Sequence, residues 1–214
     1  MITVVGSLKG GSGKSTLAFN LAVWLEMAGR KVELIDADPQ ATLTDVVELR
    51  TEDGYKPKLK VKGAEALSAK APAKIDGKID EILIDVGTSD MVALRQALAL
   101  ADRVVMPVPP SQADVWSAQR FVKLVSDAAP NKTPEILGFI NRGDTHRAVR
   151  ETDEAAAALV SLPGIKLLKP RLAQRTVYRR SFSEGMAVFE LERRGKGAKE
   201  LLALFAVLYP KVVG

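Results

Sequence analysis

The tightest constraint on this chain is a glycine-rich stretch, Gly6-Ser7-Leu8-Lys9-Gly10-Gly11-Ser12-Gly13-Lys14-Ser15-Thr16. It follows the apolar run that begins at Ile2 and opens a segment, Ser15–Ala28, with apolar residues at helical spacing. Glycines there allow successive backbone N–H groups to turn inward, and the start of a helix adds its dipole, which together make an anion site. Gly10, Gly11, Ser12, Gly13, Lys14, Ser15 and Thr16 are the expected cradle for the phosphates of a nucleotide. Lys14 is placed to reach the β- and γ-phosphates, and the Ser15 hydroxyl to coordinate Mg²⁺. The usual pattern has a glycine where this chain has Leu8.

The rest of the chain alternates between the same two textures. Ile2–Gly6, Lys31–Ile35, Glu81–Val86, Arg103–Val108 and Glu135–Ile140 are short runs rich in Val and Ile, predicted as buried strands. Ser15–Ala28, Asp90–Leu100 and Ala113–Ala128 are predicted helices, with Ser89-Asp90 and Ser111 offering N-cap chemistry and Gly29 as a C-terminal stop. Strand, helix, strand in repetition predicts an α/β fold, a single-domain P-loop NTPase with a mainly parallel sheet covered by helices on both faces. With 214 residues and no linker, one domain over 1–214 is expected. Thr51–Lys78, rich in Lys, Ala, Gly and Pro, is expected to be a surface excursion with one short helix.

Composition removes several classes of function. There is no cysteine, which excludes disulfides, Fe–S clusters and thiolate zinc sites. No stretch reaches the ~18 apolar residues of a spanning helix, and the start lacks a signal-peptide pattern, so a cytoplasmic protein is expected. The single histidine, His146, sits in a polar loop and is read as a surface residue. Trp24 is read as core, and Trp116 as either core or interface.

Beyond the cradle, the motifs carry a family resemblance. Lys9-Gly10-Gly11-Ser12-Gly13-Lys14-Ser15 resembles the deviant Walker A motif of the ParA/MinD family of ATPases, which tolerates other residues at the Leu8 position. The resemblance implies that Lys9 reaches across a two-fold interface to the partner's nucleotide, so that ATP binding drives a homodimer. Leu34-Ile35-Asp36-Ala37-Asp38-Pro39-Gln40 is similar to the family's switch segment, which implies Asp36 near Mg²⁺ and Asp38 orienting the attacking water. Ile82-Leu83-Ile84-Asp85 resembles a Walker B strand, with Asp85 holding Mg²⁺ through water. The family commonly continues with a Pro-rich turn, whereas this chain reads Val86-Gly87-Thr88-Ser89. Pro110-Ser111-x-x-Asp114 resembles the loop leading to a helix at the dimer face. Asn141 and Arg142 stand where relatives place adenine-contacting residues, and Gln174-Arg175-x-x-Tyr178 is similar to the small ParA proteins.

The formal charge is +5, and cations gather in the last third: Arg147, Arg150, Lys169, Arg171, Arg175, Arg179, Arg180, Arg193, Arg194, Lys196 and Lys199. Few aromatics are interleaved, which suits phosphate contacts rather than base stacking. Arg175, Arg179 and Arg180 are the candidate contacts to non-specific DNA. The lysines of Lys56–Lys62 are read as solvated surface. Together the expectations describe an ATP-dependent partition or positioning ATPase, nucleoid-associated, working with a cargo-linked adaptor. A MinD-like membrane switch would need an amphipathic tail, but Glu200–Tyr209 is apolar around most of its circumference and is predicted to pack on the sheet. A metabolic P-loop enzyme would need a second catalytic constellation, which the sequence lacks.

Overall fold

In the computed structural model, residues 1–67, 79–145 and 150–212 are described. The expectations for His146, for Arg147 and for the end of the Lys/Ala/Gly/Pro segment lie outside them. The strands are β1 (Ile2–Val5), β2 (Val32–Ala37), β3 (Val61–Gly63), β4 (Glu81–Val86), β5 (Arg103–Val108), β6 (Glu135–Ile140) and β7 (Lys166–Leu167). They form one sheet in the order β3-β2-β4-β1-β5-β6-β7, and every pairing is parallel. Parallel strands are covered on both faces, so they read as unbroken apolar runs: every residue of β4 and of β5 is buried.

The helices are α1 (Lys14–Met27), α2 (Thr42–Glu52), α3 (Met91–Leu100), α4 (Gln112–Ala128), α5 (Glu151–Val160), α6 (Thr176–Ser183), α7 (Val188–Leu191) and α8 (Lys196–Leu208). One core layer lies between the sheet and α1, α2, α7 and α8, joined by Val177 of α6. The other lies under α3, α4 and α5. Local chemistry sets the ends of the predicted helices. Asp90 accepts from Val92 N and Ala93 N, both at 2.9 Å, and Ser111 Oγ accepts from Asp114 N at 3.2 Å. Gly29, at φ +79°, lets Arg30 N bond back to Leu25 O at 3.0 Å, a Schellman closure of α1.

Three expectations need correction. Helix α2 was not expected, because its buried face is Leu43, Val46, Val47 and Arg50, and an arginine breaks the apolar period. The second strand runs on through Asp36 and Ala37, since β4 pairs with it as far as Ala37↔Val86. Within Thr51–Lys78, the described part holds one short 3₁₀ helix (Ala64–Leu67) and, beyond expectation, the strand β3. The C-terminal helix packs on the core as predicted, burying Leu201, Leu204, Phe205 and Leu208, but starts earlier, at Lys196.

The topology places the site. At β1 the strand order reverses, and the C-terminal ends of β1, β2 and β4 lie side by side. Ligands of open α/β sheets bind in such a crevice.

Candidate nucleotide-binding site

The loop from Gly6 to Gly13 leaves β1 at Gly6, whose N–H bonds Val105 O at 3.1 Å. Its inside is braced by Ser7 Oγ and Ser12 Oγ at 2.8 Å. Gly11 (φ +71°) and Gly13 (φ +94°) take the left-handed conformation that turns their neighbours' N–H groups inward. Gly13 is the N-cap of α1, and it offers no side-chain cap. The first N–H groups of α1 are therefore available to an anion, and no acidic side chain lies in the first turn. Lys14 is buried, with Nζ donating to Lys9 O at 3.2 Å. Burial lowers its pKa, against the opposing pull of the Asp85 and Asp38 charges.

Asp85 on β4 and Asp38 on the turn after β2 act on this lysine, and Asp36 stands beside Asp85. Asp36 and Asp85 are register partners on β2 and β4, and Val5 of β1 is Asp85's partner on the other side. Asp85 is fully buried and neither of its oxygens has a hydrogen-bond partner among the described residues. Burial pushes its pKa up to about 7. The Ser15 hydroxyl nearby opposes this without reaching hydrogen-bond geometry; Asp36 and Asp38 add to the rise and Lys14 subtracts from it. An orphaned acid of this kind fits a hydrated divalent cation, which prefers hard oxygen ligands and has water to donate. Ser15 and Asp85 are thus the residues that would hold Mg²⁺.

Asp36 is placed differently from the expected metal residue. One oxygen accepts Asp38 N at 3.1 Å; the other accepts Thr44 N at 2.8 Å and Thr44 Oγ1 at 2.9 Å. It lies beside the metal position, but its lone pairs hold the following turn and the start of α2. Asp38 is on that turn, accepting Gln40 N at 3.0 Å, and lines the cleft.

A cleft of about 830 Å³ opens from the phosphate loop, within the size range of small-molecule sites. Gly10, Gly11, Gly13, Lys14, Ser15 and Thr16 line it, together with Asn141 and Arg142. Asn141 spends half of its amide within the chain: Nδ2 donates to Ser12 O at 2.6 Å and Oδ1 accepts Arg142 N at 3.0 Å, leaving one N–H and one lone pair. In this arrangement it braces the loop. Any Cβ on Gly13 would meet Asn141 Nδ2 at 2.5 Å, so the contact requires a glycine. Arg142 is exposed and lines the cleft.

The far wall comes from residues whose cleft position no sequence pattern announced: Leu172, Gln174, Thr176, Tyr178 and Phe182. They arrive because the chain after β7 bonds along the end of β6, through Leu172 N to Ile140 O and Gln174 N to Gly143 O, both 2.9 Å. Arg175 and Arg179 line this wall too. Arg175 is tied to Glu200 through Nε and Nη2, and Tyr178 Oη shares the same carboxylate at 3.2 Å. Its charge is already matched, which corrects its expected role as a free phosphate contact. Arg180 is exposed, with Glu184 at 3.3 Å and Glu192 at 3.6 Å. Arg179 is exposed and has no acidic partner among the described residues.

Lys9 is half-exposed and lies 3.6 Å from Asp114 Oδ1 of the same chain. Asp114 is buried at the start of α4, where its other oxygen takes the Ser111 hydroxyl. Trp116, two residues on, is 55% exposed, which settles it outside the core. Trp24 packs on Phe205 and Tyr209 as expected for core.

Comparison with known proteins gives the same picture. The CobQ/CobB/MinD/ParA nucleotide binding domain matches residues 3–188. The maintenance of carboxysome distribution protein A of Halothiobacillus neapolitanus is 29% identical over 199 residues, covering 92% of this chain and 90% of that protein. Protein ParA of Rhizobium radiobacter is 26% identical over 188 residues, covering 86% and 83%. Among solved structures, the ATP complex of a Cyanothece McdA variant superposes with a TM-score of 0.77 at 20% identity, over 98% of this chain and 97% of that one; at that identity the likeness shows the fold.

Proposed function

The chain belongs to the CobQ/CobB/MinD/ParA nucleotide-binding family, and on that premise we propose that it is an ATP-dependent positioning ATPase. The observation that carries this reading is the meeting of Lys14 and Ser15 with the unpartnered Asp85 carboxylate at the foot of an uncapped helix. That arrangement suits a triphosphate with its Mg²⁺. The metal, when bound, would supply charge neutralisation on the phosphates. Lys14 grips the phosphate chain, Ser15 and Asp85 hold the cation, and Asp38, on the cleft rim, orients the attacking water.

Lys9 gives the site its dimeric logic. In the single chain it rests on Asp114; on pairing, its ammonium is positioned to leave that exposed contact for the partner's phosphates. A second cation there acts like an arginine finger and ties hydrolysis to a homodimer. The dimer would present Arg179 and Arg180 twice to non-specific DNA, joined by the exposed Arg193 and Arg194. A cargo-linked adaptor would stimulate hydrolysis and release. The cargo is a plasmid, a chromosome or a protein body; relatives named for carboxysome distribution and for ParA support that range. A cytoplasmic, nucleoid-associated location follows from this reading. The MinD-like alternative would require α8 to offer its apolar side to a bilayer, and Leu201, Leu204, Phe205 and Leu208 of that side are in the core. No helix among the described residues is long and apolar enough to cross a membrane.

The deciding experiment measures mass by light scattering and duplex DNA binding with ATP, with ADP and without nucleotide. Dimerisation and DNA binding that both require ATP are expected. A chain that binds DNA equally in all three conditions would overturn the switch.

A further inference from the structure

The cleft wall carrying Tyr178, Arg179 and Phe182 is α6, and the end of α6 is held by a residue of α2. Arg50 is 1% exposed, yet all five of its N–H groups are used. Nε donates to Pro57 O at 3.0 Å. Nη2 donates to Lys56 O at 2.7 Å and Glu190 Oε1 at 2.8 Å, and Nη1 to Gly185 O at 3.0 Å and Glu190 Oε2 at 2.8 Å. Gly185 follows the C-cap of α6 at φ +63°, and a Cβ there would stand 2.9 Å from Arg50 N. The last turn of α2 and the end of α6 are therefore in backbone contact. Glu190 also accepts Ala187 N at 2.7 Å, which fixes the stretch between α6 and α7.

The other end of α2 is tied to the site. Thr44 gives both its N–H and its hydroxyl to Asp36, whose second oxygen holds Asp38 N. From Thr44 to Arg50 is about 9 Å of helix. One short rod thus links the acidic turn after β2 to α6, and both line the cleft.

Cohesion alone does not call for this ion pair, because apolar residues of equal volume hold buried segments as well once desolvation is counted. What a guanidinium with five directed donors adds is a fixed orientation. We propose that Arg50, with Glu190 as its counter-ion, is a positioning residue that locks the cleft wall to α2, so that the Asp36–Asp38 turn and α6 respond to nucleotide as one body. The inference rests on the cleft being a nucleotide site. A separate tie, Asn20 between Thr16 O and Val188 N, both at 2.8 Å, does not involve Arg50 and keeps α7 attached to α1.

The test is hydrogen exchange by mass spectrometry on the full chain, with and without Mg²⁺ and a non-hydrolysable ATP analogue. In the wild type, nucleotide slows exchange in both the phosphate loop and α6. Glu190→Gln keeps the size of the side chain but breaks the ion pair; Thr44→Val removes the distant hydroxyl bond to Asp36, keeps the backbone one, and leaves Arg50 untouched. Each is expected to retain the slowing in the loop and lose it in α6, where exchange becomes roughly tenfold faster. Should Glu190→Gln fail to fold, Thr44→Val decides. The proposal is overturned if α6 keeps its nucleotide response in a folded variant, or has none in a wild type whose loop responds. A wild type with no response anywhere removes the nucleotide reading, and this proposal with it.

Discussion

Gly87 touches Asp38: a Cβ at position 87 would lie 2.6 Å from Asp38 Oδ1 and 3.1 Å from Asp38 Cα. The turns after β2 and β4 are therefore packed against one another, and the glycine stands where relatives commonly carry a Pro-rich turn. Gly87→Ala has to push the Asp38 turn away. ATP affinity is expected to change little while the hydrolysis rate falls about tenfold or more, as for misplacing a catalytic group. Steady-state turnover and nucleotide titration check this; unchanged turnover would mean that the contact is incidental.

Lys14→Ala removes the buried ammonium from the phosphate cradle and should abolish nucleotide binding. Lys9→Ala removes a half-exposed side chain and should leave binding intact while impairing dimerisation and hydrolysis. Affinity and dimer mass are to be measured for both. If Lys9→Ala dimerises and turns over like the wild type, the cross-dimer role is wrong.

Asp38→Ala removes the carboxylate proposed to orient water while sparing the cradle. The variant should accumulate as an ATP-bound dimer with hydrolysis slowed by roughly two or more orders of magnitude. Size exclusion with ATP and Mg²⁺ reports it, and a monomer with full turnover would sink the assignment.

Asp85 makes the stability of the nucleotide-free protein pH-dependent. Its folded pKa is raised to about 7, above the unfolded value near 3.9, so the folded state holds the proton more tightly. Stability is greatest below the unfolded pKa and falls as pH rises towards 7. Asp85→Asn should therefore stabilise the free protein above pH 7, by on the order of 2–4 kcal/mol, the ceiling being about 1.4 kcal/mol per pH unit between the two values. The gain shrinks on acidification, and Mg²⁺-dependent ATP binding is lost. Thermal melts from pH 4 to 8 test the sign, and a constant difference would refute the cause.

Arg175, Arg179 and Arg180 should separate into two behaviours. Arg179→Ala and Arg180→Ala each remove up to two phosphate contacts per dimer, flattening the salt dependence of DNA binding by ~0.9 in log–log slope for each contact. Arg175→Ala instead breaks the pair with Glu200 and should lower the melting temperature. A melting temperature unmoved by Arg175→Ala, with a flattened salt slope, would return it to the DNA surface.

The bounds of β4, β5 and β6 were legible to the residue because parallel strands buried on both faces need unbroken apolar runs. The phosphate loop was legible because its chemistry is local: glycines, lysine and hydroxyl act on one anion within a single turn. Helix α2 was not, since Arg50 reads as a surface residue until Glu190, 140 residues away, supplies its counter-charge.

The sequence by itself thus determined the five central strands, the phosphate loop and the acids at the ends of β2 and β4. Each of these is set by contacts within a few residues or by a burial period. Only the tertiary structure decided that Asn141 braces the loop, that Arg175 belongs to Glu200, and that α6 forms the cleft wall. A polar side chain's role depends on which partner lies within about 3 Å of it. For these residues that partner is supplied by the folding of distant segments, and nothing in their immediate neighbours encodes it.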